Sequence, residues 1–143
     1  MNTAEPDTEV PFAVGGETVV HLPGGLLGFE TVKRYVLASN CDEQPFYRLQ
    51  AIDDPDLSFV VISPFEVMPE YQPDIPPEDV RSLGLESPDD AMLFNIVTLR
   101  SRGCSTINLK GPIVINRYSL VGKQVVISNA CEYSVQHPLP VVE

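Results

Sequence analysis

The sequence predicts a mainly β protein, a small closed barrel-like or sandwich domain with one short helix, and three observations carry that prediction. The first is residues 53–65, DDPDLSFVVISPF, where a turn rich in Asp and Pro feeds the apolar run Phe59, Val60, Val61 and Ile62. Aromatic and β-branched side chains without polar alternation suit a strand covered on both faces. Pro55 and Pro64 bracket it, because proline has no amide hydrogen for a ladder and drives the residue before it into extended geometry. The second is the recurrence of short β-prone runs between Gly, Pro and Asx turns. The third is that one stretch alone carries start and stop signals for a helix.

In order, residues 1–9 are polar, acidic and aperiodic and are expected to form a loose tail ahead of one domain over residues 10–143. Residues 10–14 and 17–22 flank Gly15-Gly16, a pair that can take the positive φ of a tight hairpin. Residues 23–29, PGGLLGF, read as a compact loop in which Leu26, Leu27 and Phe29 cover the core edge. Residues 34–39 and 46–52 are two further strands joined by a polar loop, and they lead into the run at 59–62. Residues 66–90 then change character: Pro69, Pro73, Pro76, Pro77 and Pro88 punctuate an acidic stretch whose one base is Arg81. The helix fits there, with Pro77 in its first turn, Glu78 and Asp79 at the positive end of its dipole, and Gly84 as its C-terminal cap. Residues 91–99, 106–109, 112–116 and 122–128 resume the strand pattern. So many short strands bury their edges best in a sheet closed on itself.

Lys and Arg number 9 against 20 Asp and Glu, a formal charge of −11. Phosphate backbones and anionic membranes repel such a chain, so no direct nucleic-acid or membrane partner is expected and a basic protein surface is favoured. The N-terminus, MNTAEPDTEVPF, has acids where a secretory leader needs bases. No run approaches the roughly 20 apolar residues that cross a bilayer, so a cytoplasmic location is expected. Cys41, Cys104 and Cys131 show no C-x-x-C spacing and suggest neither a disulfide framework nor a zinc site.

No catalytic, cofactor-binding or metal-binding set stands out. The glycine loop lacks the lysine and hydroxyl residue of a P-loop and the glycine spacing of a dinucleotide loop. Asp53-Asp54, Glu78-Asp79 and Asp89-Asp90 are neighbours that do not converge on a substrate as a general acid and base must. His21 and His137 have no acidic partner in local reach. No enzyme and no cofactor are therefore expected. A small-ligand-binding β-barrel or an unrecognised hydrolase is the alternative, marked by a deep interior pocket with convergent polar groups.

Five stretches carry a family resemblance: GLLGFE at 25–30, DDPDLSFVVISPF at 53–65, NLKGPIVIN at 108–116, GKQVVI at 122–127 and YSVQHPL at 133–139. In this order and spacing they resemble the bacterial flagellar assembly factor FliW family, over residues 10–139. Leu27 stands where that family's loop, GLPGF, usually has proline. The resemblance implies a cytoplasmic, non-enzymatic, β-barrel-like protein, monomeric when free, that binds flagellin and the RNA-binding translational repressor CsrA. In that family, flagellin occupies FliW until it is secreted; freed FliW then captures CsrA, antagonises it non-competitively and relieves repression of flagellin synthesis.

The positions that match the family's motifs are Gly25, Gly28, Phe29, Asp53, Pro55, Phe59, Pro64, Phe65, Pro112, Ile115 and Asn116. Glycines and prolines at turns and apolar residues in strands are expected to serve mainly the scaffold. The acidic excursion is the candidate contact surface. Glu70, Asp74, Glu78 and Asp79 are its expected exposed charges, with Phe65, Met68 and Tyr71 as apolar anchors among them.

Overall fold

The computed structural model describes residues 17–39, 41–99 and 105–139. Its strands are β1 (Glu17–His21), β2 (Arg34–Ser39), β3 (Phe46–Ala51), β4 (Ser58–Ile62), β5 (Ala91–Thr98), β6 (Thr106–Ile107), β7 (Ile113–Asn116), β8 (Gly122–Gln124) and β9 (His137–Pro138). Two helices, α1 (Pro64–Val67) and α2 (Pro77–Ser82), lie between β4 and β5, and a 3-10 turn over Pro88–Asp90 precedes β5. The strands pair antiparallel along the path β1-β2-β3-β4-β5-β6-β9, and β7 branches from β5 and carries β8.

The first four strands form a meander, and β4, the apolar run between the prolines, lies between β3 and β5 as its composition requires. One side chain organises the turn before it. Gln50 Nε2 donates to the carbonyls of Asp54, Pro55 and Leu57 at 3.2, 3.2 and 3.0 Å. At the outer end of this hairpin Arg34 meets both carboxylate oxygens of Asp53, at 3.2 and 3.3 Å. The pair is solvent-exposed and contributes no more than about 1 kcal/mol.

β5 changes partner along its length: Ala91, Met92, Leu93 and Phe94 pair with β7, whereas Asn95, Ile96 and Val97 pair with β4. The mainly β architecture is as expected, but among the described residues its ladder is not closed. β1 meets the branch through a single bridge, His21 with Val121, supported by His21 N–H to Leu120 O at 2.9 Å. The result is a barrel-like sheet with seams.

The largest core cluster includes Val20, Leu22, Leu26, Tyr35, Leu37, Leu49, Val61, Met92, Phe94, Ile113 and Ile115. A second joins Ile62, Tyr71, Val97, Ile107, Leu109 and Leu139, and a third joins Leu83 of the α2 cap with Val114, Val125 and Ile127. β7 is buried at all four positions because its two faces serve different clusters, Ile113 and Ile115 the first and Val114 the third. At about 1.5–3 kcal/mol per fully buried aliphatic side chain, this strand is a principal source of stability.

Two short helices stand where one was expected. Pro64 both ends β4 and opens α1, at a first-turn position where a missing amide is harmless. Four residues are too few to leave a helical period in the sequence. α2 begins at Pro77 and is followed by Gly84 at φ 68, as expected. β8 stops at Gln124, short of the expected 128, yet the chain stays extended: Val125 N–H and Ile127 N–H reach Pro112 O and Lys110 O at 2.9 and 3.3 Å. The tail at 1–9, the strand expected at 10–14 and the Gly15-Gly16 turn lie outside the described residues.

Candidate functional site

Where β4 ends and the chain departs through α1 and α2, an open trough is left against the first half of β5. Its larger part, about 590 Å³, is walled by Phe65, Ile75, Val80, Leu85 and Leu93, with Glu86, Asp89 and Arg117 among the polar residues that border it. A second part, about 290 Å³, shares Phe65, Ala91, Leu93 and Arg117 with the first and continues past Glu66 to Tyr47 and Pro45. Phe65, 44% exposed, therefore stands at the junction of the two. The trough is a surface feature with a mainly apolar lining, and the first core cluster fills the space between the inner strands. Among the described residues no three His, Cys, Asp or Glu are grouped to hold a metal ion, and no helix is long and apolar enough to cross a membrane.

Glu70, Asp74 and Glu78 lie exposed, and Met68 is half-buried against the second core cluster. Asp79 corrects the expectation of exposure, and Tyr71, named as an apolar anchor, is buried within the fold. Asp79 is only 9% exposed, and its carboxylate holds the ammonium of Lys123 on β8. Tyr71 is 2% exposed; its hydroxyl donates to Leu109 O at 2.6 Å and its ring meets Tyr133 edge-on at 4.8 Å. Both partners lie far along the chain, 44 and 38 residues away, and no local pattern announces them.

The same applies to the clamp at Asn129. Its Oδ1 accepts from Asp74 N–H at 2.8 Å and its Nδ2 donates to Gln72 O at 2.9 Å. Ser128 N–H adds a bond to Asp74 O at 2.7 Å. Asp74 is thereby fixed by its backbone and keeps its side chain in solvent.

Burial, partly offset by hydrogen bonding with Asn95 and reinforced by Tyr133, pushes the Tyr71 phenol from 10.0 up to about 12. The folded chain then holds this proton more tightly than the unfolded chain does. The resulting stability is fully present below pH 10 and is lost as pH rises toward 12. Urea midpoints measured across that window should fall more steeply for the wild type than for Tyr71→Phe. Equal slopes would mean that Tyr71 does not titrate as described.

The glycine loop is a β-turn over residues 26–29, closed by Phe29 N–H to Leu26 O at 2.7 Å, with Gly28 at φ 88 in the third position. That is type II geometry, whose second position favours proline. Here Leu27 holds that position, and its N–H donates to Gln124 Oε1 at 2.9 Å, a bond proline cannot make. Leu26 is the buried leucine; Leu27 is 62% exposed and does not cover the core edge. Phe29 packs edge-on against Phe59, with ring centroids 5.2 Å apart.

Asn116, buried at the end of β7, ties three segments together. Its Nδ2 donates to Leu83 O at 2.8 Å, and its Oδ1 accepts from Tyr118 N–H and Ser119 N–H at 2.8 and 3.2 Å.

Fold and trough together describe a small mainly β scaffold that carries a clamped acidic excursion between its fourth and fifth strands. A model of the FliW protein family matches residues 7–139. The flagellar assembly factor FliW of Clostridioides difficile is 37% identical over 121 residues, 84% of this chain and 92% of that protein. The flagellar assembly factor FliW of Geotalea uraniireducens is 39% identical over 121 residues, 84% of this chain and 73% of that protein. A crystal structure of the flagellar assembly factor FliW matches with a TM-score of 0.79 at 34% identity, over 87% of each chain. The chain belongs to the FliW family.

Proposed function

We propose that the chain is a cytoplasmic, non-enzymatic flagellar assembly factor that binds flagellin and the translational repressor CsrA, and that it weakens RNA binding by CsrA without covering the RNA surface. The observation that carries this reading is the placement of exposed Glu70, Asp74 and Glu78 on the excursion whose Phe65 divides the apolar trough. Apolar anchors bordered by charge suit a protein contact, and a net charge of −11 attracts a repressor basic enough to hold RNA. Acids held beside bound RNA repel its phosphates over roughly a Debye length, about 8–10 Å at physiological salt.

The test is the triple variant Glu70→Gln, Asp74→Asn, Glu78→Gln, with Asp79 left in place because it is paired with Lys123. Association with CsrA should slow by about tenfold at low salt, and RNA release should weaken with it, both differences shrinking as salt is raised. Equal RNA release by the wild type and a folded variant at both salt levels would discard the electrostatic mechanism. Separate elution of the chain and monomeric flagellin on size exclusion would remove flagellin as a partner.

A further inference from the structure

The first half of β5 carries an open backbone edge. Arg117 N–H donates to Asp90 O and Asn108 N–H to Ile96 O, so the even-numbered residues of β5 direct their backbone groups toward β7 and β6. In an antiparallel ladder the alternate residues direct theirs to the opposite side. Consistently, Ala51 N–H to Leu57 O puts Val60 and Ile62 of β4 toward β5, where they face Val97 and Asn95. β4 ends at Ile62 and Pro64 turns the chain away into α1. Ala91 and Leu93 therefore point to a side on which none of the described strands lies. The N–H of Ala91 is taken by Pro88 O. By this alternation Leu93 N–H, Leu93 C=O and Ala91 C=O point to the side on which α1 approaches β5, and both residues are half-buried and line both parts of the trough.

We propose that this edge receives an extended segment of a partner protein as an added strand, one that alternates apolar residues with Lys or Arg. Half-buried backbone groups in mid-strand are costly without a partner, and an extended chain supplies one by exchanging two bonds with Leu93 and donating a third to Ala91 O. A helix cannot, because its own N–H and C=O groups are bonded internally. Alternation fits the surroundings: the larger part of the trough offers Val80 and Leu85 beside Ala91 and Leu93, while the second part is bordered by Gln44, Ser63 and Glu66. Glu66, Glu86 and Asp89 against Arg117 favour a basic occupant. The proposal deepens the partner-binding reading by giving the form that a partner's segment takes, and it rests on that reading for the existence of a partner.

The experiment is amide exchange followed by NMR on the full chain, with a blocked hexapeptide of alternating Lys and Val as probe. Leu93 should exchange faster than Met92 and Phe94, whose groups face β7, and millimolar peptide should slow it at least about tenfold. The same peptide N-methylated on its bonding edge, and a helical Lys/Leu peptide, should leave Leu93 unprotected. A Leu93 amide already as slow as Met92, no protection by the alternating peptide, or equal protection by the methylated or helical peptide would each overturn the proposal. Flagellin and CsrA are assayed separately. If they bind while Leu93 stays unprotected, the edge alone is wrong; if neither binds while the peptide protects Leu93, the partner assignment alone is wrong.

Discussion

Gly25→Ala is expected to destabilise the fold by about 2–5 kcal/mol, a large part of what a domain of this size has. Gly25 sits at φ 67, where an L-residue costs about 1–2 kcal/mol. An added Cβ would also lie 2.6 Å from Glu30 Cα and Phe29 O. These are backbone atoms that no rotamer change can move, and relieving such a clash costs about 1–3 kcal/mol more. Displacing the loop would pull on Leu26, which is 1% exposed in the first core cluster. Gly28→Ala is the control: φ is 88 there, but nothing lies within 4 Å of the new Cβ, so only the conformational cost applies. Urea denaturation of the two variants compares them directly. Equal losses would show that the close approach at Gly25 has no energetic weight.

Asn116→Ala should cost about 2–4 kcal/mol. The substitution removes three hydrogen bonds at once and leaves the carbonyl of Leu83 without its partner. A buried group so stranded costs about 1–3 kcal/mol by itself. The turn after β7 depends on the same side chain. Leu120, four residues on, is held at φ 62, an unfavourable region for leucine, while its carbonyl accepts from His21 N–H across the seam with β1. Without Asn116 that strain loses its restraint. Asn116→Asp keeps the acceptor for Tyr118 and Ser119 but sets a carboxylate oxygen against the carbonyl of Leu83, so at neutral pH its thermal midpoint should also lie well below that of wild type. A wild-type midpoint in either variant would show that the bond to Leu83 has no energetic weight.

Most of the fold was legible in the residues, because local chemistry decided it. The prolines bracketing 59–62 bound a strand between two others, Pro77 and Gly84 delimit α2, and Phe46 begins β3 as read. α1 was missed because one turn of helix has no period. The early end of β8 was missed because Val125 and Ile127 pack like strand residues while bonding to a loop.

The candidate site was less legible. Exposure of Glu70, Asp74 and Glu78 follows from composition, but the burial of Asp79 and Tyr71 is set by Lys123 and Leu109, and nothing near either residue signals it. The trough itself is made by residues from 44 to 117, and it exists because β4 stops before covering β5. Such a gap between elements becomes visible only once the elements are placed.

The clamping of the acidic excursion has a thermodynamic consequence. A stretch of this composition would ordinarily be a mobile arm, whose ordering on contact with a partner costs roughly 0.5–1.5 kcal/mol for each immobilised rotamer-rich side chain and more for its backbone. Here Asn129 grips Gln72 and Asp74, Tyr71 is anchored on Leu109, and Asp79 is locked to Lys123. The backbone entropy of the segment is thus surrendered during folding rather than at the moment of recognition. Exposed Glu70, Asp74 and Glu78 therefore project from a backbone whose course is set by the fold itself, and only their side-chain rotamers stay free.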